Sequence, residues 1–139
     1  MKRGDPTDAS FLLAFPMTKT ISIENKNRGI DGPLQIKYCD SFLTQLRGFT
    51  LHPRLARHEG LVLVGARDSR IDSSIHMLFV SFDLAVIWIN SNMQVVDKII
   101  AKSWRPAYFS KQPAKYVLEV HPERWDEFQV GDTVLFKNA

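Results

Sequence analysis

Apolar positions concentrate between Ile71 and Ala101, IDSSIHMLFVSFDLAVIWINSNMQVVDKIIA, a stretch that predicts a strand, a second strand, a tight turn and a third strand. Leu84 to Asn90 (LAVIWIN) is almost wholly apolar, the pattern of a strand covered on both faces, whereas Gln94 to Ala101 mixes polar and apolar positions. Between them Ser91-Asn92-Met93 is short, and its Asn tolerates the left-handed backbone of a hairpin connection. Upstream, Thr18 to Glu24 alternates with Ile21 and Ile23 on one side, Leu34 to Cys39 alternates again, and the turn-rich Asn25 to Pro33 joins them into a hairpin. Gly60 to Gly65, Tyr116 to Val120 and Thr133 to Phe136 read as further strands.

Two short helices are predicted. Asp40 and Ser41 are good caps for FLTQLRGF, which places Phe42, Leu46 and Phe49 on one stripe, and ERWDEF at 123–128 turns Trp125 and Phe128 inward. About eight short strands without βα alternation make the fold mainly β: a single-domain antiparallel sandwich or barrel with these two helices. Residues 1–17 begin polar and contain Pro6 and Pro16, so a partly flexible N-terminal segment is expected ahead of a single β-rich domain over 18–139.

Composition narrows the setting. At 139 residues the chain is long enough to bury its own core without metal or disulfide, and Cys39, the single cysteine, has no internal partner. Because it follows a strand-like run, Cys39 reads as a small core residue rather than a nucleophile. The apolar run Phe11 to Phe15 is too short for a signal-peptide core or a membrane span, so a soluble, cytoplasmic protein is expected, with no membrane partner and no cofactor. The net charge of +3 is mild. Lys98, Lys102, Arg105, Lys111 and Lys115 form a basic block, followed by Glu119, Glu123, Asp126, Glu127 and Asp132 against Arg124 alone; adjacent opposite blocks are expected to satisfy one another.

No metal cluster, nucleophile motif or phosphate loop of any specificity is present. Asp72, Ser74 and His76 alternate on one predicted strand face, but neighbours there stand roughly 7 Å apart, too far for the direct hydrogen bonds of a nucleophile and its base. His52 and His58 beside Glu59 lack the spacing of ligands on a helix or strand and read as solvated loop residues. The conspicuous segment is Lys102 to Ala114, KSWRPAYFSKQPA, in which Trp104, Tyr108 and Phe109 lie among Arg105 and Lys111 and prolines prevent regular structure. Aromatics among cations suit stacking combined with contact to an anion; the bland alternative is that the rings cover an open sheet end.

Several segments together resemble one family, the bacterial and archaeal proteins grouped as domain of unknown function 192. They are NKNRG from Asn25, SFLTQLRGF with Arg47 and Gly48, HEGLVL around Glu59 and Gly60, SIHM from Ser74, LAVIWIN, AKYVLEV and VGDTV. The resemblance implies a single β-rich domain of the sandwich type and supplies no mechanism. It also marks a departure: Asp83 stands where the family has a proline, and Ala85 where it has an aspartate. The polar residues that match the family are Arg47, His76 and Glu119. A carboxylate flanked by apolar positions needs a partner if buried, so Arg47 or His76 is expected to pair with Glu119.

Three functions from different classes follow. The first is a non-catalytic binding or accessory domain that holds a small ligand, a glycan or a protein segment with Arg47, His76, Trp104, Arg105, Tyr108, Phe109 and Glu119 at the rim of the sheet. The second is a hydrolase-like enzyme with Arg47, His76 and Glu119 in one cleft and His76 as general base. The third, the least expected, is weak single-stranded nucleic-acid binding by Lys102, Arg105, Lys111 and Lys115 with the loop aromatics. The oligomeric state is not legible in the sequence.

Overall fold

Alternating residues in each strand divide the molecule into an inside and an outside, and the sheet curls to keep both dry. The computed structural model describes residues 19–39, 54–77 and 80–138. Among these, seven strands form one sheet: β1 (Lys19–Asn25), β2 (Gln35–Cys39), β3 (Glu59–Ser69), β4 (Leu84–Ile89), β5 (Val95–Ala101), β6 (Ala114–Val120) and β7 (Val134–Asn138). Their order across the sheet is β5-β4-β6-β3-β2-β1-β7. The two outermost strands meet again at their starts, where Gln94 bridges Thr133 and the Val95 N–H donates to the Asp132 carbonyl at 2.8 Å. The sheet is thus barrel-like, closed at one corner.

The inner face gathers Ile21, Ile36, Val62, Ile87, Leu118 and Phe128 into one apolar cluster. The outer face of β3, β4 and β6 is not solvated either. Residues 70–77 and 80–83 lie over it, and Leu61, Met77, Val80, Val86, Trp88 and Val117 make a second cluster. Every residue of β4 is buried, since Ala85, Ile87 and Ile89 face one cluster while Leu84, Val86 and Trp88 face the other. Trp88 also anchors the covering segment, its indole N–H donating to the Ser73 carbonyl at 2.8 Å. Cys39 is buried in the outer cluster, in agreement with its reading as a core residue.

Four features differ from the sequence reading. The sheet is mixed rather than antiparallel: β2 and β3 run parallel, from Gln35↔Glu59 to Cys39↔Leu63, which the long stretch of chain between them allows and a two-residue turn would not. Residues 71–77 are not a strand; they form a turn and then a single bridge between Ile75 and Tyr108. In the β4–β5 connection Met93, not Asn92, takes the left-handed backbone (φ 63), and Asn90 Oδ1 accepts from the Asn92 and Gln94 amides instead. The predicted helix at 123–128 is a 3₁₀ helix, Pro122–Glu127, with Phe128 buried just beyond it. The other predicted helix and the N-terminal segment 1–17 lie outside the described residues.

β3 approaches its neighbours so closely at Gly60 that a side chain is excluded. A Cβ there would lie 2.6 Å from Ile36 Cδ1, 2.8 Å from Val120 Cγ1 and 3.1 Å from the Glu119 carbonyl oxygen. Gly60→Ala is therefore expected to destabilise the fold by about 1–3 kcal/mol, the usual cost of overpacking, read as a lower urea midpoint at unchanged m-value. An unchanged midpoint would mean that β2 and β6 move apart freely.

Candidate functional site

The ladder between β3 and β6 is regular from Gly60↔Val120 to Val64↔Tyr116 and then breaks; pairing resumes only at Ser69↔Ala114. Residues 65–68 thus face Lys115 alone, a bulge that bends β3 away from its partner. Gly65 suits the split, since a Cβ on it would come within 3.2 Å of the Lys115 carbonyl oxygen. The far end of the bulge is tied to the β4–β5 turn, where Asp68 accepts from the Ser91 amide at 2.8 Å and from its hydroxyl at 2.7 Å. The gap becomes an open pocket of ≈ 320 Å³. Leu63 and Val117 give it an apolar side, and Arg67, Asp72, His76 and Lys115 line it with charge or a titratable ring.

One wall of the pocket is zipped to the aromatic loop. Ile75 and Tyr108 exchange N–H to carbonyl bonds of 3.0 and 2.8 Å, the Met77 N–H donates to the Arg105 carbonyl at 2.9 Å, and the Trp104 N–H donates to the Met77 carbonyl at 2.8 Å. His76 sits between these two bonded residues. Asp83 holds the start of the loop, accepting from the Ser103 amide at 3.0 Å and from Lys102 Nζ at 3.3 Å. Those bonds, the Ser103 amide first, hold its carboxyl below the ordinary range despite partial burial. Asp97 on β5 fixes the far side through the Lys111 amide at 2.9 Å.

On this braced loop the rings have different roles. Tyr108 is half-buried and its hydroxyl oxygen accepts from the Lys102 amide at 2.9 Å. Trp104 and Phe109 leave 53% and 52% of their surface exposed. Trp104 also has φ 66, a left-handed backbone that a bulky residue adopts at a cost of order 1–3 kcal/mol. The flanking bonds hold that conformation in place and keep the ring at the surface.

Other expected site residues fall in different places. Arg105 is exposed on the loop and His76 is exposed at the pocket. Glu119 is buried on β6, directly opposite Val86 and Leu61, both members of the outer cluster. No hydrogen bond or ion pair joins Glu119 to His76, and Arg47 lies outside the described residues. Burial pushes the Glu119 carboxyl up to about 8. The Asp72, Ser74, His76 set does not act as a triad: the Ser74 hydroxyl donates to the Ile71 carbonyl at 2.7 Å and Asp72 pairs with Arg67 at 3.6 Å. Of His52, His58 and Glu59, His52 lies outside the described residues, while Glu59 caps the Ala56 amide at 2.9 Å. Ala85, at the family's aspartate position, is fully buried in the inner cluster.

Charge pairing also runs differently from expectation. The acidic block is neutralised mainly by Arg28, Arg57 and Arg124 rather than by the basic block before it. Arg28 grips Asp132 through two bonds of 2.7 and 2.8 Å and, with the Asn25 side chain and the Gln129 amide, holds that carboxyl well below its usual range. Only Lys98 reaches the acidic side, lying 3.4 Å over the Trp125 ring. Arg105, Lys111 and Lys115 form no ion pair with a described acid, which leaves their charge on the face that carries the loop and the pocket. Lys115 is marked in the sequence only as a member of the basic block, and Arg67 and Gly65 are not marked at all, although a glycine inside a strand-like run followed by ARDS is a bulge signal.

The comparisons with known proteins agree with this architecture. The sequence profile of the family DUF192, described as "Uncharacterized ACR", matches residues 23–136. A UPF0127 protein of Thermococcus kodakarensis is 37% identical over 114 residues, covering 81% of this chain and 71% of the relative. One from Pyrococcus furiosus is 34% identical over 96 residues, covering 68% and 78% respectively. A crystal structure of a protein of unknown function from Novosphingobium aromaticivorans superposes with TM-score 0.72 at 15% identity, over 85% of this chain and 84% of that one, a likeness of fold alone. Among the described residues no helix is long and apolar enough to cross a membrane.

Proposed function

From a chain that belongs to the DUF192 family, whose name assigns no activity, we propose a cytoplasmic, non-catalytic binding domain. It holds a small ligand, a glycan or a protein segment between the loop 102–113 and the pocket beside the β3 bulge. The observation that carries this reading is the pair of rings Trp104 and Phe109, each more than half exposed on a loop whose backbone is held by several hydrogen bonds. Exposed aromatics on a rigid support lose little entropy on binding and bring large contact area. The committed hydroxyl of Ser74 supports binding over acyl transfer, since it is not presented to His76.

The reading is tested with a fragment library screened by ligand-observed NMR and mapped on the amide spectrum. Hits should shift residues 65–68, 74–76 and 104–109, and the Trp104→Ala/Phe109→Ala variant should lose them while keeping the dispersed amide spectrum of the folded protein. Hits mapped to another face, or none at all, would remove the proposal.

A further inference from the structure

The charge in the lining of the bulge pocket is mostly positive, and this points to a ligand class. Arg67 and Lys115 bring positive charge, and the sole carboxylate in the lining, Asp72, already faces Arg67 at 3.6 Å. The hydroxyls of Ser73 and Ser74 donate to backbone carbonyls, Ser69 at 2.6 Å and Ile71 at 2.7 Å, and bring no charge. Lys115 lies 5.4 Å from the Tyr116 ring centroid and meets no described carboxylate, so its ammonium is not neutralised from within the protein. A neutral sugar would ask for donors and acceptors in alternation. This pocket offers cationic donors over an apolar side made by Leu63 and Val117.

We infer that the pocket between the β3 bulge and β6 takes a small organic anion, a carboxylate or phosphate monoester, with its charged group toward Arg67, His76 and Lys115 and its hydrocarbon part on Leu63 and Val117. The inference rests on the binding reading above and narrows it. Charge-assisted bonds from guanidinium and ammonium favour such a group, and the ≈ 320 Å³ volume suits a ligand at the small end of the usual range. The bulge is what makes the site: it takes Arg67 out of the ladder and leaves Lys115 without a paired residue on β3.

Three probes of similar shape test it: benzoate, phenyl phosphate and neutral benzyl alcohol, each titrated against the amide spectrum at low salt and near physiological salt. At least one of the anions should shift Gly65, Arg67 and Lys115, weaken with added salt, and lose about tenfold or more in affinity in the Arg67→Gln/Lys115→Gln variant. Which anion binds tighter decides between carboxylate and phosphate. Benzyl alcohol binding there as tightly as the anions, unaffected by the double substitution, would overturn the anionic assignment and leave the binding domain standing. Failure of all three probes would overturn the anionic assignment too, and the fragment screen then decides separately whether any binding role survives.

Discussion

Glu119→Gln is expected to make the protein more stable at pH 8 and to remove a decline in stability that the native chain shows on going from acid to mildly alkaline solution. Burial against Leu61 and Val86 raises the folded-state carboxyl from the ordinary 4.5 of a solvated glutamate to about 8, and no described side chain donates to it. Between those values the folded protein keeps its proton while the unfolded chain releases it. The stabilisation is therefore complete below the unfolded value and is lost as pH rises through the folded one, at about 1.4 kcal/mol per pH unit within the window. Gln carries no proton to release, so its stability profile should be flat there by comparison. Urea unfolding at pH 5, 6.5 and 8 for both proteins measures the difference. A native profile without that decline, or a Gln variant that is less stable at pH 8, would mean that Glu119 is held ionised by a cation outside the described residues, for which Arg47 is the family-matched choice.

Arg124→Met should be the most damaging single change on the far side of the molecule. Arg124 is 1% exposed, yet every part of its guanidinium is used. Nε donates to Glu127 Oε1 at 3.1 Å, Nη1 to the Arg57 carbonyl at 3.2 Å and Nη2 to the Gly32 carbonyl at 3.0 Å. One side chain thus ties the 3₁₀ helix to the β1–β2 connection and to the segment entering β3. Removing it takes donors from two carbonyls and from the Glu127 carboxylate, which is part-buried and keeps Arg57 at 3.5 Å, so the loss is roughly 2–3 kcal/mol, below that of a fully buried pair broken from one side. Arg124→Lys keeps the charge but not the planar fork and should recover only part of the loss. A Met variant within about 1 kcal/mol of the native protein in urea unfolding would show that solvent enters and replaces the guanidinium.

What could be read from the sequence was what local periodicity decides. The unbroken apolar run of β4 foretold burial on both faces, and the alternation at Ile21 and Ile23 foretold an inward-facing β1. What could not be read depends on pairing at a distance. Nothing in QIKYC or EGLVL distinguishes a parallel from an antiparallel neighbour, and Ile75 and Met77 alternate like a strand although only Ile75 and Tyr108 bridge. The candidate site divided along the same line. Prolines and cations marked the loop, but not whether its rings meet solvent or cover the sheet; the structure exposes Trp104 and Phe109 by about half and half-buries Tyr108. Arg67 and Lys115 come together only because a ladder breaks, and Arg124, which looked like a lone base in an acidic run, is the buried centre of its own network.

The corner where Gln94 meets Thr133 also orders the events of synthesis. β7 lies beside β1 along one border and touches the start of β5 at the other, so a nascent chain that has left the ribosome only as far as residue 130 has neither contact. The ring waits for its last strand, and until then two strand borders stay open to whatever else is in the vicinity.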